Sequence, residues 1–468
     1  MKICQRVVTL LVAVAFGLMM SASLEAQSPA QGELRPALPL KASEDGRHLV
    51  DQQNRPFLYS ADTAWLLFYR LSEQEAVEYM TKRQAQGFNA IQVMLAVELD
   101  TTSIDGQKPF IDEDFARPNE VFFSHVDRVV ERAEEKGLVL PIAPIWAGTG
   151  DTGWAGKKDG HLLPMKVNGP EKCRKLGQYL GTRYGKHKHL MWIMGGDDDP
   201  QGEREEYRQL AMGLKDKAPH QLITYHAAST HSSSDVWAAD EPWLDVVMTY
   251  TYFRGFNKAW TKNQPDVYEA NYKEYGKSPV RPFFLGESTY EGEHGEWGSA
   301  LQARKNAYWS VLSGGTGHAY GSPNWHLPAD WRKIIDSPGA NSLRHFRDLF
   351  ASRPWHLLVP DEKNEVATAG QGRFASNDYA TTAVASDGSF SMTYMPSRRK
   401  LTMDLSRLSG KQVQAWWFNP RTGQVSNAGV YQTTGVRQFE PREEGDWVLV
   451  LEEVAKNFGP LGASARQG

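Results

Sequence analysis

Cysteine is nearly missing from this chain. Cys4 and Cys173 are the only two in 468 residues, too few for a disulfide framework, so stability has to come from core burial. An excess of one charge is missing as well. Fifty-two Lys and Arg stand against 56 Asp and Glu, a formal net charge of -4, which leaves no basic footprint for a polyanion and excludes nucleic acid as an expected partner. Beyond the N-terminus there is no long apolar run, which excludes a polytopic membrane protein. The chain also lacks a Walker A motif and the G-x-S-x-G of serine hydrolases, and His226 and His231, five apart, do not form the H-E-x-x-H of zinc peptidases. The lettering G-x-G-x-x-G does occur at 148–153, but Trp154, Gly156 and polar residues follow where a nucleotide-binding helix should start. No cofactor and no metal is called for.

The N-terminus carries Lys2 and Arg6, then an apolar stretch over 7–20, then the small residues Ser21, Ala22, Ser23 and Ala26. This is the order of a secretory signal peptide cleaved near Ala26, and the stretch is short for an uncleaved membrane anchor. The expected location is therefore periplasmic or secreted, with no membrane contact beyond export. Cys4 leaves with residues 1–26. Cys173 then stands alone in a helical segment and reads as a small buried hydrophobe rather than a reactive thiol. Residues 27–45, rich in Pro, Gln, Ser and Ala, read as a tether.

From 46 to 354, short apolar runs alternate with helix-period segments. The runs lie at 57–64, 88–95, 139–145, 190–194, 222–226, 246–250, 282–286 and 317–320. Between them, 72–86 opens on a Ser-Glu-Gln-Glu capping box and ends at Gly87, and 121–136 ends at Gly137. Further helices are expected over 170–184, 203–217, 266–275, 299–313 and 342–350. Eight strands with intervening helices fit an α/β fold of the (β/α)8 TIM-barrel type better than an open sheet. After 355 the texture turns to short strands separated by turn signals such as Asp387-Gly388 and Ser409-Gly410. A β-sandwich is expected over 355–455, with 456–468 as a tail. Trp416 and Trp417 should point to opposite faces of one strand, one of them into the core and the other toward the barrel.

A barrel of this kind keeps its chemistry at the C-terminal ends of the strands. Those ends deliver Asp62 and Trp65, Trp146, Asp197, His226, Tyr250, Glu287, and His318 followed by Trp325. The Gly-rich stretch 147–168 reads as a mobile loop that brings Trp154 over the mouth. Acids converge there with aromatics whose faces suit stacking on sugar rings. Hydrolysis of a glycosidic bond needs one acid to protonate the leaving oxygen and one carboxylate to meet the developing positive charge. Asp197 and Glu287, at the ends of strands 4 and 7, fill these two catalytic places. Asp62, Trp65, Trp146, Trp154, His226, Tyr250, His318 and Trp325 are candidate substrate contacts. Asp62 equally well orients a neighbour, or rivals Asp197 as the acid/base. Asp198 and Asp199 read as caps.

The stretches Pro56-Phe-Leu-Tyr-Ser-Ala-Asp-Thr-Ala-Trp65, Gly87-Phe-Asn-Ala-Ile-Gln92, Trp192-Ile-Met-Gly-Gly-Asp197 and Phe284-Leu-Gly-Glu287 resemble the apiosidase-like family of bacterial glycoside hydrolases. Tyr394-Met-Pro396, Leu401-Thr-Met-Asp-Leu405 and Trp417-Phe-Asn-Pro-Arg-Thr-Gly423 are similar to the sandwich attached to that family, which is labelled a collagen-binding domain. The resemblance covers nearly the whole mature chain. It implies a retaining hydrolase with Asp197 as acid/base and Glu287 as nucleophile, acting on oligo- or polysaccharide, in the characterised branch on apiose-containing side chains of pectin. Related barrels end strand 4 in Asn-Glu, whereas this chain has Gly-Asp. Two other readings stand beside it: a polysaccharide- or matrix-binding protein with a degenerate barrel, and a barrel hydrolase or lyase acting on an ester or uronide. For the sandwich, a packed stabilising role is expected, with collagen binding incidental or absent.

Overall fold

The computed structural model describes residues 35–96, 101–146, 164–200, 202–238, 240–254 and 264–463, and these fall in one compact unit, Arg35–Ser464. The signal-peptide segment and Trp154 lie outside the described residues. Eight strands form the barrel: β1 (Tyr59–Thr63), β2 (Ala90–Met94), β3 (Leu140–Ala143), β4 (Leu190–Gly195), β5 (Ile223–His226), β6 (Val247–Tyr250), β7 (Phe283–Glu287) and β8 (Gly317–Tyr320). All pairings are parallel, in the order β5-β4-β3-β2-β1-β8-β7-β6. Every residue of β1 to β8 is buried, because a parallel sheet wrapped by helices meets water on neither face. That is why these strands read as continuous apolar runs.

The helices follow the strands: α1 (Glu73–Ala85), α2 (Glu120–Lys136), α3 (Pro164–Tyr184), α4 (Arg204–Lys217), α5 (Val267–Tyr275), α6 (Ala300–Leu312) and α7 (Pro338–Ala351). The α1 capping box forms as its letters predict: Ser72 Oγ accepts from Glu75 N, and Ser72 N donates back to Glu75 Oε2. Gly137 ends α2 in the left-handed conformation, φ 71°. Cys173 on α3 is buried, and burial pushes its thiol up to about 12, so the expected inert role agrees with its surroundings.

The order places β5 and β6 at its two ends, and between them no β-ladder forms among the described residues. A single turn of helix, Ser233–Val236, follows β5 instead of a full-length one. Its first residue fills the gap. The Ser233 hydroxyl donates to Tyr225 O at 2.6 Å and accepts from Met248 N at 2.8 Å, relaying a hydrogen bond that two adjacent strands would otherwise exchange directly. Thr230 N donates to Tyr250 O at 2.9 Å higher on the same seam.

Two boundary expectations need correction. The proposed tether is ordered from residue 35: Lys41–Ala42 pairs with Leu49–Val50, Leu40 is buried, and Ala37 N donates to Asp51 Oδ2. The proposed tail packs as well. Phe458 lies edge-on to Phe390 at 5.9 Å, Leu461 is buried, and Gly462 N donates to Ser352 Oγ. In both places apolar residues among polar neighbours find a surface that local composition does not reveal.

The sandwich strands are β9 (Leu358–Pro360), β10 (Ala367–Ala369), β11 (Thr381–Ala385), β12 (Phe390–Met395), β13 (Leu401–Asp404), β14 (Gln412–Phe418), β15 (Val425–Gln432), β16 (Val436–Phe439) and β17 (Trp447–Glu453). One sheet runs β9-β11-β12-β17-β14-β15 and the other β10-β13-β16, antiparallel throughout. Trp417 lies in the core between the sheets with Met403, Leu449 and Leu451. Trp416 points the other way and packs against the cluster that joins barrel and sandwich, its Nε1 donating to Glu452. That joint is built on α6, buried from Gln302 to Leu312. Tyr308 stacks on Tyr394 at 4.6 Å, and Arg304 donates twice to Asp446, at 2.6 and 3.0 Å.

Candidate active site

The site begins where β4 ends. Gly195, Gly196 and Asp197 have φ of 79°, 139° and 49°, three successive residues in backbone regions that side chains disfavour. A Cβ at 195 would meet the Tyr225 ring at 2.5 Å, and one at 196 the Trp146 ring at 2.4 Å. The two glycines therefore let the chain turn inward across Trp146. Asp197 is left in the left-handed region, at a cost of about 1–2 kcal/mol that Asp tolerates better than most residues.

Glu287 reaches the mouth by a different device. Phe284 faces the interior, with its ring 4.3 Å from Tyr59, so strict alternation would send residue 287 outward. A register shift intervenes: Thr249 pairs with Leu285, but Tyr250 pairs with Glu287. The extra residue is a bulge, and it re-aims the carboxylate inward.

His226 joins the two carboxylate segments. Its Nε2 lies 2.6 Å from Glu287 Oε2, and its Nδ1 stands 3.2 Å from Asp197 N and 3.1 Å from Ala227 O. A neutral ring that accepts from Asp197 N carries its proton on Nε2, and a protonated ring donates to Glu287 and Ala227 O together. Burial pulls the imidazole pKa down, but the hydrogen bond and charge of Glu287, with the charge of Asp197, lift it above its usual value on balance. Asp197, His226 and Glu287 each bring one donor atom within 4.8 Å of the others. Asp197 has its pKa pushed up to about 7, first by burial and then by the negative charge of Glu287, against partial relief from His226 and Tyr250. The facing carboxylate thus helps to keep Asp197 protonated closer to neutrality than an ordinary aspartic acid.

Aromatic rings stand around this group. Trp65 and Trp146 lie 4.7 Å apart, Trp146 is 4.9 Å from His226, and Tyr250 is 4.8 Å from His226 on the other side. The Trp146 Nε1 is buried without a hydrogen-bond partner, a donor left over for a bound hydroxyl. Trp325 stands half-buried at the rim, with its Nε1 donating to Glu293 at 2.8 Å. A surface cavity of about 620 Å³ lined by Gln107, Phe110, Ile111 and Asn119 lies on the loop after β2 and shares no residue with this cluster.

Two of the expected contacts are placed elsewhere. Tyr59 faces the interior and meets Gln92, so the two-residue period of β1 turns Asp62 outward, under α1. There it is fully buried, 3.0 Å from Arg83 Nη2 and 2.5 Å from the Tyr79 hydroxyl. Burial raises its pKa to about 6, against the opposing pull of Arg83 and Tyr79. Asp62 belongs to a buried strand-to-helix ion pair, not to the mouth. His318 pairs with Ser60 and shares its outward direction. Its ring meets Phe346 of α7 at 4.9 Å, and burial pushes its pKa down to about 3. It is a neutral packing residue. Conversely, the candidate list lacked Tyr290, whose hydroxyl accepts from Trp65 Nε1 at 2.9 Å, and Phe253 and Trp297, stacked at 4.5 Å. Their aromatic letters in the loops after β6 and β7 were the available signal.

Residues 43–356 match the sequence model of the family described as "Apiosidase-like, catalytic domain". The chain belongs to that family. Residues 359–452 match "Putative collagen-binding domain of a collagenase". Among solved structures, one named "Glycoside hydrolase" is 24% identical, with 90% of this chain and 98% of that chain covered and a TM-score of 0.79. A glycoside hydrolase family 5 protein from Bacteroides vulgatus ATCC 8482 is 23% identical, covering 92% and 97%, with a TM-score of 0.80. At these identities the two establish the shared fold, barrel and appended sandwich together. No curated protein matches the sequence significantly. Family and fold together make the apiosidase-like chain a glycoside hydrolase.

Proposed function

We propose that this apiosidase-like protein is an exported enzyme that releases sugars from side chains of plant cell-wall polysaccharide, apiose-containing pectin foremost, by a two-step displacement with retention of configuration. The observation that supports the mechanism is that one oxygen of Asp197 and one of Glu287 lie within 4.8 Å of each other, too close for a water molecule to be held between the carboxyl groups. Retaining enzymes hold their two carboxyl groups about 5–5.5 Å apart, whereas inverting ones leave about 6.5–9.5 Å for a water molecule. Glu287 is the nucleophile. His226 holds its Oε2, leaving Oε1 to attack the anomeric carbon. Asp197, protonated near neutrality, gives its proton to the departing oxygen. Formation of the glycosyl ester removes the Glu287 charge, and Asp197, now ionised, takes a proton from the water that hydrolyses the ester. The pectic substrate rests on the family, and export on the N-terminal pattern of Lys2, Arg6 and the apolar stretch after them.

The test uses an activated aryl glycoside of the sugar found by screening pectic and hemicellulosic oligosaccharides. Asp197→Ala should still form the glycosyl-enzyme, and azide should restore turnover with a product of retained configuration. Glu287→Ala should lose hydrolysis, and any azide adduct it forms should have inverted configuration, because azide then replaces the missing carboxylate in a single displacement. Inverted product from the parent enzyme, or retained-configuration azide rescue of Asp62→Ala in place of Asp197→Ala, refutes the assignment.

A further inference from the structure

At the opposite end of the barrel from the catalytic carboxylates, three side chains converge for which hydrolysis has no use. His187 and His189 flank Lys188 on the segment leading into β4, and Glu134 stands in the last turn of α2. His187 Nδ1 lies 2.6 Å from one Glu134 carboxylate oxygen, and His189 Nδ1 lies 3.8 Å from the other. One donor atom from each of the three falls within 4.8 Å of the rest. The imidazole rings are nearly perpendicular, at 87° with centroids 5.7 Å apart, so both can aim a nitrogen at one point without stacking. The His189 side chain is 0% exposed, and its polar surroundings are the Val130 carbonyl and the Glu134 carboxylate, neither closing a short, well-aligned hydrogen bond. His318 is buried with its ring nitrogens in a similar state, but His189, unlike His318, has a carboxylate and a second imidazole beside it.

The backbone around the cluster is pinned. Gln221 Nε2 donates to His187 O at 2.9 Å, and Leu140 N donates to His189 O at 3.0 Å. The rings are therefore held before any ligand arrives. Zinc bound by nitrogen and oxygen at about 2.0–2.2 Å in a tetrahedral shell separates its ligand atoms by about 3.4 Å. One donor atom from each of the three side chains already lies within 4.8 Å of the others, so side-chain movements of about 1 to 1.5 Å bring them to that separation. Two imidazoles with one carboxylate form a borderline donor set suited to zinc, not the all-oxygen set that calcium or magnesium requires. Glu134 is half exposed, with its side chain 45% accessible, which leaves room for water as the fourth ligand.

We propose that Glu134, His187 and His189 form a structural zinc site that staples α2 to the start of β4, the strand that carries Asp197 at its other end. Zinc that binds the folded chain and not the unfolded one raises stability as free zinc rises.

The experiment takes the full chain, stripped with a chelator, and titrates it with Zn²⁺ in competition with a chromophoric indicator while melting is followed in parallel. The expected result is one saturable equivalent and a melting temperature that climbs with free zinc. Glu134→Gln and His189→Ala should each weaken binding about tenfold or more, with hydrolysis by Glu134→Gln unchanged. Glu287→Gln should bind zinc like the parent, because Asp197, His226 and Glu287 form the other possible donor cluster among the described residues. Co²⁺ in place of zinc should show the intense visible bands of a four-coordinate site in the parent chain and lose them in Glu134→Gln. Should His189→Ala fail to fold, Glu134→Gln decides, since its side chain is half in solvent. Binding unaffected by Glu134→Gln, binding lost instead with Glu287→Gln, or no saturable binding overturns the proposal.

Discussion

Removing the charge of Glu287 should bring the Asp197 titration down, and the size of the fall follows from the geometry. Asp197 has a pKa near 7 because burial and the facing Glu287 act in the same direction. Two unit charges about 5 Å apart, the scale set by carboxylate oxygens that lie within 4.8 Å of each other, interact by roughly 3.5 kcal/mol at an effective dielectric of about 20. At about 1.4 kcal/mol per pH unit, that is about 2.5 units before screening. Solvent at the half-open mouth screens part of it, so Glu287→Gln should lower the Asp197 midpoint by about 1 to 2 units, with the burial contribution left in place. Carbon-13 label on aspartate carboxyls reads this directly, the Asp197 signal being identified by its loss in Asp197→Asn. On the proposed mechanism the same group should set the alkaline limb of kcat/KM in the parent enzyme: activity that needs the protonated acid should be full well below the midpoint and fall as pH rises through about 7. An Asp197 signal that titrates in the ordinary carboxylate range in the parent, or does not move in Glu287→Gln, refutes the electrostatic account of the pair.

The same raised pKa makes Asp197 a burden on stability at higher pH. A carboxyl whose folded pKa lies above its unfolded value favours folding fully below the unfolded value, and this is lost as pH rises through about 7; Asp197→Asn should therefore stabilise the chain at pH 8 by roughly 1 kcal/mol, while abolishing cleavage of poor leaving groups, and a lower melting temperature at pH 8 would refute this. Arg304→Ala removes the closest partner of the buried Asp446 at the barrel–sandwich joint, leaving it the Tyr394 hydroxyl and a more distant Arg421, and should cost about 2–4 kcal/mol in urea unfolding; a loss below about 1 kcal/mol would mean the sandwich is only loosely docked. Asp62→Asn should likewise destabilise, by stranding the buried Arg83 guanidinium, yet retain kcat at temperatures where it is folded, which steady-state kinetics at 15 °C can check.

Much of this fold is legible because its strands are buried on both sides: eight apolar runs, with capping letters such as Ser72 and Gly137 between them, are what a parallel barrel writes into a chain. The short strands β10 and β16 escaped notice because their half-exposed residues carry little apolar pattern. At the site, position at a strand end is visible from sequence, but direction is not. Asp62 and His318 stand at the same rim as Glu287, yet alternation counted from the inward Tyr59 turns them toward helices. The same counting applied to Glu287 would have sent it outward, had the bulge at Leu285-Gly286 not intervened. A bulge has no letter of its own beyond the glycine. The Gly195-Gly196-Asp197 turn is a clearer case, since two glycines before an acid at a strand end announce a backbone that must go where side chains cannot.

Midway along the seam between β5 and β6 the circumference of this barrel is completed by a hydroxyl. With Ser233 between the strands there, and backbone bonds crossing only at the lower and upper ends of the seam, the width of the ring at that point is the width of a side chain rather than of a ladder rung. The two strands it separates end in His226 and Tyr250, which stand beside Glu287 and Asp197. On the proposed mechanism, mouth calibre and catalytic alignment then depend on the same shim. A smaller residue at 233 would invite the strands to knit together and narrow the aperture, and a larger one would spread it. Substrate girth can therefore be retuned in this scaffold from a position that never meets the sugar.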